Sequence, residues 1–206
     1  MDKTPEDKYL ALMKIVRKRF DTIKAIKSTG LDNYDIAEIT AFHGRKIIEA
    51  IAFGCLIGTK NGINHIPRDA EGQYNAETIF KSLTRKGINI LQNPSEIRQA
   101  TEDEQRQHNV KVTIDGIQER RISSGELIKM YQRMHNWLHE LNPYTKDGQQ
   151  IFYSKYQNQL NDDLNRLMLF LKTHFLSIKG QGFYCTLWDK KDGQTRVISL
   201  SKISDL

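Results

Sequence analysis

The segment from Tyr34 to Ile57, YDIAEITAFHGRKIIEAIAFGCLI, limits the possible folds more than any other part of the chain. Its second half is almost wholly apolar. A helix formed there is buried on most of its surface and has to be enclosed by neighbours on several sides. Asp32 or Asn33 is placed to cap it, and Ala37, Gly44, Ala52 and Gly54 are small enough to let another helix approach closely. Arg45, Lys46 and Glu49 make it too charged, and leave its apolar run too short, for a bilayer span, which takes about 20 mainly apolar residues.

Three further stretches carry the helical period. Tyr9, Leu12, Val16, Phe20 and Ile23 recur at steps of three or four, predicting a helix over about 5–27 that stops near Gly30. The segment SSGELIKMYQRMHNWLHELNPY opens with a capping box, Ser123 and Glu126, in which each side chain satisfies the other residue's free backbone N–H. Its stripe of Leu127, Tyr131, Met134, Leu138 and Leu141 predicts a helix that runs until Pro143 ends it. A third stripe, Tyr156, Leu160, Leu164, Leu167, Leu171 and Phe175, predicts a helix from 151 to about 177. Between these, 59–123 is punctuated by Gly and Pro. It reads as an insertion with a short helix over 76–85 and a hairpin turning at Asp115-Gly116. Alternation on both sides of Gly193 predicts a second hairpin over 180–203, its Phe183, Tyr184 and Trp188 covering one face of the bundle. The expected fold is all-α: one domain, 1–206, an up-and-down bundle of about four long helices with a mixed insertion and a C-terminal β-hairpin.

Of the 206 residues, 38% are hydrophobic, enough for one core of respectable size. Lys and Arg number 31 against 25 Asp and Glu, a formal charge of +6 that favours an anionic partner such as RNA. Cys55 and Cys185 stand far apart in apolar surroundings, which argues against a disulfide framework or a cysteine metal site. MDKTPEDKYL is too charged for a signal peptide, so a soluble, cytoplasmic protein with no membrane partner is expected.

Arg133, Asn136 and His139 fall at i, i+3 and i+6 of the third long helix, one ridge on the face opposite its apolar stripe, with Lys129 and Gln132 beside them. The plain alternative is a solvated face without further role. His135 and His139 have the i, i+4 spacing by which a helix binds zinc, but the glutamate a zincin places after its first histidine is missing and no third ligand is evident. No metal and no cofactor are therefore expected. His43 could reach the same ridge, whereas a helical ion pair with Glu49 accounts for Arg45.

An arginine, five intervening residues and a histidine on a helix of a helical bundle resemble the R-x(4-6)-H motif of HEPN domains, helical proteins prominent in bacterial toxin, anti-phage and CRISPR-associated systems. AFHGRKIIEAIAFGCLI and LHELNPY also look like segments of a group of uncharacterised bacterial proteins with the same fold. The resemblance implies a metal-independent RNA endonuclease, assembled as a homodimer in a defence or toxin system and held by an antitoxin or other partner protein. It casts His139 as the acid or base, Arg133 as the group holding the scissile phosphate and Asn136 as a residue orienting either one. Met134 departs from the polar residue that active members place after the arginine. The alternative reading is a catalytically inactive helical adaptor or dimerisation module that binds a protein or nucleic acid through the same ridge.

Overall fold

The computed structural model describes residues 3–63, 65–140, 144, 148–178 and 181–201. Among these, the long helices are α1 (Pro5–Ile26), α2 (Asn33–Ile63), α5 (Ser124–Asn136) and α6 (Gln149–Lys172), with shorter α3 (Ala76–Arg85) and α4 (Glu102–His108). Five strands complete the fold: β1 (Asn93–Gln99), β2 (Val112–Gly116), β3 (Thr173–Ile178), β4 (Gln181–Thr186) and β5 (Arg196–Ser201). They form one antiparallel sheet in the order β2-β1-β3-β4-β5. The chain is mixed α/β, and the all-α bundle expected from the sequence is incorrect.

The error has two physical sources. The helical stripe through Leu171 and Phe175 runs past the true end of α6, because Thr173, His174, Phe175 and Leu176 also alternate at the strand period. His174 and Leu176 are buried, whereas Thr173, Phe175 and Ser177 are less so. The second source is Asp115-Gly116, which is not a turn. Both residues lie in β2, opposite Glu96 and Ser95 of β1, and α4 occupies the connection between the two strands. β1 then joins β3 through Asn93 and Pro94, opposite Phe175 and His174, so strands from 93–116 and from the C-terminal region share one sheet. β4 and β5 pair on either side of a turn containing Gly193, whose φ of 67° suits a residue without Cβ.

α2 is the centre of the molecule. Ala41, Ile47, Ile48, Ile51, Ala52 and Cys55 are buried, and the helix packs on α1, α3, α5, α6, β3 and β4. Asp32 caps it by accepting from the backbone N–H groups of Tyr34 and Asp35 at 2.8 and 3.0 Å. A Cβ at Gly44 would lie 2.7 Å from Met134 Sδ of α5, and one at Gly54 2.6 Å from Gln92 Nε2, so these glycines set how closely α2 and its neighbours approach. Among the described residues no helix is long and apolar enough to cross a membrane.

Where α1, α2 and the sheet meet, a buried polar chain runs through the core. The Leu171 carbonyl, which can only accept, receives a hydrogen bond from His174 Nδ1–H at 3.0 Å. His174 Nε2 therefore accepts from the Tyr9 hydroxyl at 2.7 Å. Gln92 Nε2 donates to Tyr9 Oη and to the Ile51 carbonyl, and the Cys55 thiol donates to Gln92 Oε1. Phe183 stacks on Tyr9 with ring centres 5.2 Å apart. Burial pushes the His174 imidazole down to about 4.

The native ring thus stays neutral in a range where the unfolded ring is charged. Its contribution is complete above about pH 6.5 and is lost as the pH falls toward 4, amounting to about 3 kcal/mol in all. Urea midpoints should hold steady above pH 7 and drop across that window, and His174→Gln should flatten the drop. Titration of the native His174 ring near pH 6.5, read by NMR, would contradict this account.

Candidate functional site

The C-terminal half of α5 carries the polar residues singled out by spacing, and the structure divides them. The helix starts as the sequence requires: Ser123 Oγ accepts from Glu126 N at 3.2 Å, and Glu126 Oε2 accepts from Ser123 N at 3.0 Å. That backbone N–H, followed by Arg166, holds the Glu126 carboxyl down to about 2. Leu127, Tyr131 and Met134 are buried as the stripe predicts, but α5 ends at Asn136, earlier than the sequence suggests. Leu141 and Pro143 lie outside the described residues. Trp137, only 3% exposed, is packed against Phe152 with ring centres 4.8 Å apart and against Tyr34 at 5.9 Å. Leu138 N donates to the His135 carbonyl, tightening the last turn. His139 consequently follows the helix, and the straight ridge Arg133-Asn136-His139 does not form.

Arg133 faces α6. Its Nε and Nη2 donate to the two carboxylate oxygens of Asp163 at 2.8 and 2.7 Å, and Gln159 Nε2 adds a bond to Asp163 Oδ1 at 3.1 Å. The Asp163 side chain is 1% exposed, so the arginine compensates a buried charge. Arg133, Asn136, Trp137, Phe152, Tyr156 and Gln159 together line a cavity of about 200 Å3.

His139 faces a different neighbour. Its Nε2 lies 3.0 Å from His135 Nε2, and His135 Nδ1 lies 2.9 Å from Arg45 Nη1. Arg45 Nη2 donates to the Tyr131 hydroxyl at 2.8 Å, Tyr131 donates to Glu49, and Glu49 also pairs with Lys46 at 2.6 Å. A guanidinium has only donors, so His135 Nδ1 must offer its lone pair and the His135 proton must sit on Nε2. That N–H then donates to His139 Nε2, which fixes the tautomers of both rings. Among the described residues no group of three or more His, Cys, Asp or Glu is arranged to hold a metal ion. Partial burial, then Arg45 and His139, hold the His135 imidazole below its usual value.

His43 does not join this group: its Nδ1 accepts from Arg19 of α1 at 3.3 Å, and burial followed by Arg19 lowers its basicity. Arg45 does form the ion pair with Glu49 read from the i, i+4 spacing, at 3.5 Å. The bonds to Tyr131 and His135, and the Asp163 partner of Arg133, have no local signal because they span 86, 90 and 30 residues. Comparison with family models, with characterised proteins and with solved structures finds no match to the chain.

Two outcomes test this division. Arg133→Ala should lower the stability by about 2–3 kcal/mol in urea unfolding, less than for a fully enclosed pair because water reaches the arginine, and adding Asp163→Leu should recover most of that loss. Arg45→Met should move the His135 titration back up toward the usual imidazole range, followed by NMR, whereas an unmoved titration would mean that Arg45 is not its partner.

Proposed function

We propose that the chain is a metal-independent RNA endonuclease whose proton-transfer group is His139. The observation that carries this reading is the histidine pair at the end of α5, held 3.0 Å apart with its proton positions fixed by Arg45. An imidazole is suited to moving protons near neutral pH. His139 is exposed and lies beyond the helix, so its ring turns off His135 without disturbing the core. Turned outward, its Nε2 lone pair takes the proton of a ribose 2′-hydroxyl as the 2′-oxygen attacks the adjacent phosphorus. The same proton then passes to the departing 5′-oxygen, leaving a cyclic phosphate and a free hydroxyl.

Arg45 and Lys46 set two cations against the single carboxylate of Glu49, leaving local positive charge for the phosphate. Arg133, cast as the phosphate holder by the HEPN resemblance, is instead engaged with Asp163. That engagement favours the second reading, a non-catalytic module that binds RNA or a partner protein through this end of α5. A homodimer bringing two histidine pairs together belongs to the first reading and is read from sedimentation of the purified protein.

The test is cleavage of a labelled RNA mixture, including transfer RNA, in excess EDTA. Wild type should cleave, and His139→Ala should lose about 100-fold or more, the scale of a missing acid–base group. His135→Ala should reduce the rate, and Arg133→Ala should reduce it less than His139→Ala does. Equal cleavage by wild type and His139→Ala, or none by either, would leave the binding module as the reading.

A further inference from the structure

We infer that the cavity between α5 and α6 binds one unstacked nucleobase of a single-stranded RNA. This deepens the RNA reading of the neighbouring histidine pair and rests on it for the identity of the strand. The cavity measures about 200 Å3, room for a single planar heterocycle. Its walls are aromatic. Trp137 and Phe152 meet edge to face at 4.8 Å, and Phe152 and Tyr156 are tilted at 4.8 Å. Tyr156 is 37% exposed, so part of its ring is open to a stacking partner, and Lys155 lies over that ring at 5.1 Å.

The polar residues of its lining keep hydrogen-bonding capacity to spare. Arg133 uses Nε and Nη2 on Asp163, which leaves the Nη1 donors for a ring carbonyl or ring nitrogen. Gln159 uses its amide nitrogen on Asp163, and its carbonyl oxygen remains an acceptor for a ring N–H or amino group. Asn136, exposed at the rim, offers both a donor and an acceptor. Buried Asp163 fixes Arg133 and Gln159 together and thereby sets one donor beside one acceptor. Every Watson–Crick edge presents that pair of functions in return. Stacking on aromatics with hydrogen bonds to the base edge is how proteins read single-stranded RNA. Arg133, Asn136 and Trp137 of the cavity wall lie within six residues of His139 in the chain, so a base seated there brings the strand near the histidine pair.

The test uses His139→Ala protein, so that binding is measured without cleavage and a failure of the nuclease reading leaves the result interpretable. Fluorescence anisotropy compares a labelled single-stranded RNA 12-mer of mixed sequence with a strand of equal length and charge lacking bases. The RNA should bind about tenfold or more tightly, the size of one base stack. Tyr156→Ala and Asn136→Ala should each remove most of that advantage while leaving the baseless strand unaffected. Both are surface replacements, and circular dichroism checks that they fold. Mononucleotides are titrated against Trp137 fluorescence in a Trp188→Phe background to separate a free nucleotide from a strand. Equal binding of the two strands, insensitivity to both replacements, or binding of mononucleotides without the RNA strand would each overturn the proposal.

Discussion

Burial of α2 is the constraint on which the rest of the molecule depends. A helix with Ile47, Ile48, Ile51, Ala52 and Cys55 all out of contact with water needs apolar cover on every side, and here α1, α3, α5 and α6 supply only part of it. The sheet closes the remaining side: β3 and β4 present Leu176, Phe183 and Cys185, and α1 is stacked onto the same surface through Tyr9 and Phe183. Small residues decide where close approach occurs, with Gly44 beneath Met134 and Gly54 beneath Tyr9 and Gln92. A Cβ at either position would displace the side-chain ends of Met134 or of Gln92, since close-packed interiors have little slack.

This arrangement explains why a polar chain is tolerated in the core. His174 enters at the start of β3 facing α1, where it brings two ring nitrogens into apolar surroundings. Unpaired, each would cost about 1–3 kcal/mol. Leu171, Tyr9, Gln92, Ile51 and Cys55 satisfy one another in series, and the series links α6, β3, α1, α2 and the segment leading into β1. Hydrogen bonds are directional where apolar contacts are not, so this series specifies how sheet and helices register against each other.

The helices were readable because their signals are local: steps of three and four in Tyr9 to Ile23, a capping box at Ser123, a buried run after Arg45. The sheet was not. β1 reads NPSEIRQ, with a proline, several polar residues and one large apolar side chain, and it is a strand only because β2 and β3 flank it. β3 hides inside a helical stripe that Leu171 and Phe175 happen to extend. The candidate site divides in the same way. The His135 and His139 spacing was visible, and the pair forms even though the helix ends between them. Arg45 and Asp163, which determine what the histidines and Arg133 are able to do, come from other helices and leave no trace in the local pattern.

The fate of Arg133 follows from comparing its two possible partners. A phosphate arriving from water offers a charge-assisted bidentate contact, but Asp163 offers the same geometry and cannot leave. Its carboxylate is enclosed, and removing the guanidinium would strand it without solvent. Asp163 therefore holds Arg133 against any exposed anion. Arg45 and Lys46, which share the single carboxylate of Glu49, stand on α2, the helix that packs on α1, α3, α5, α6, β3 and β4. His139, just beyond the end of α5, is tied through His135 to Arg45 on that buried helix.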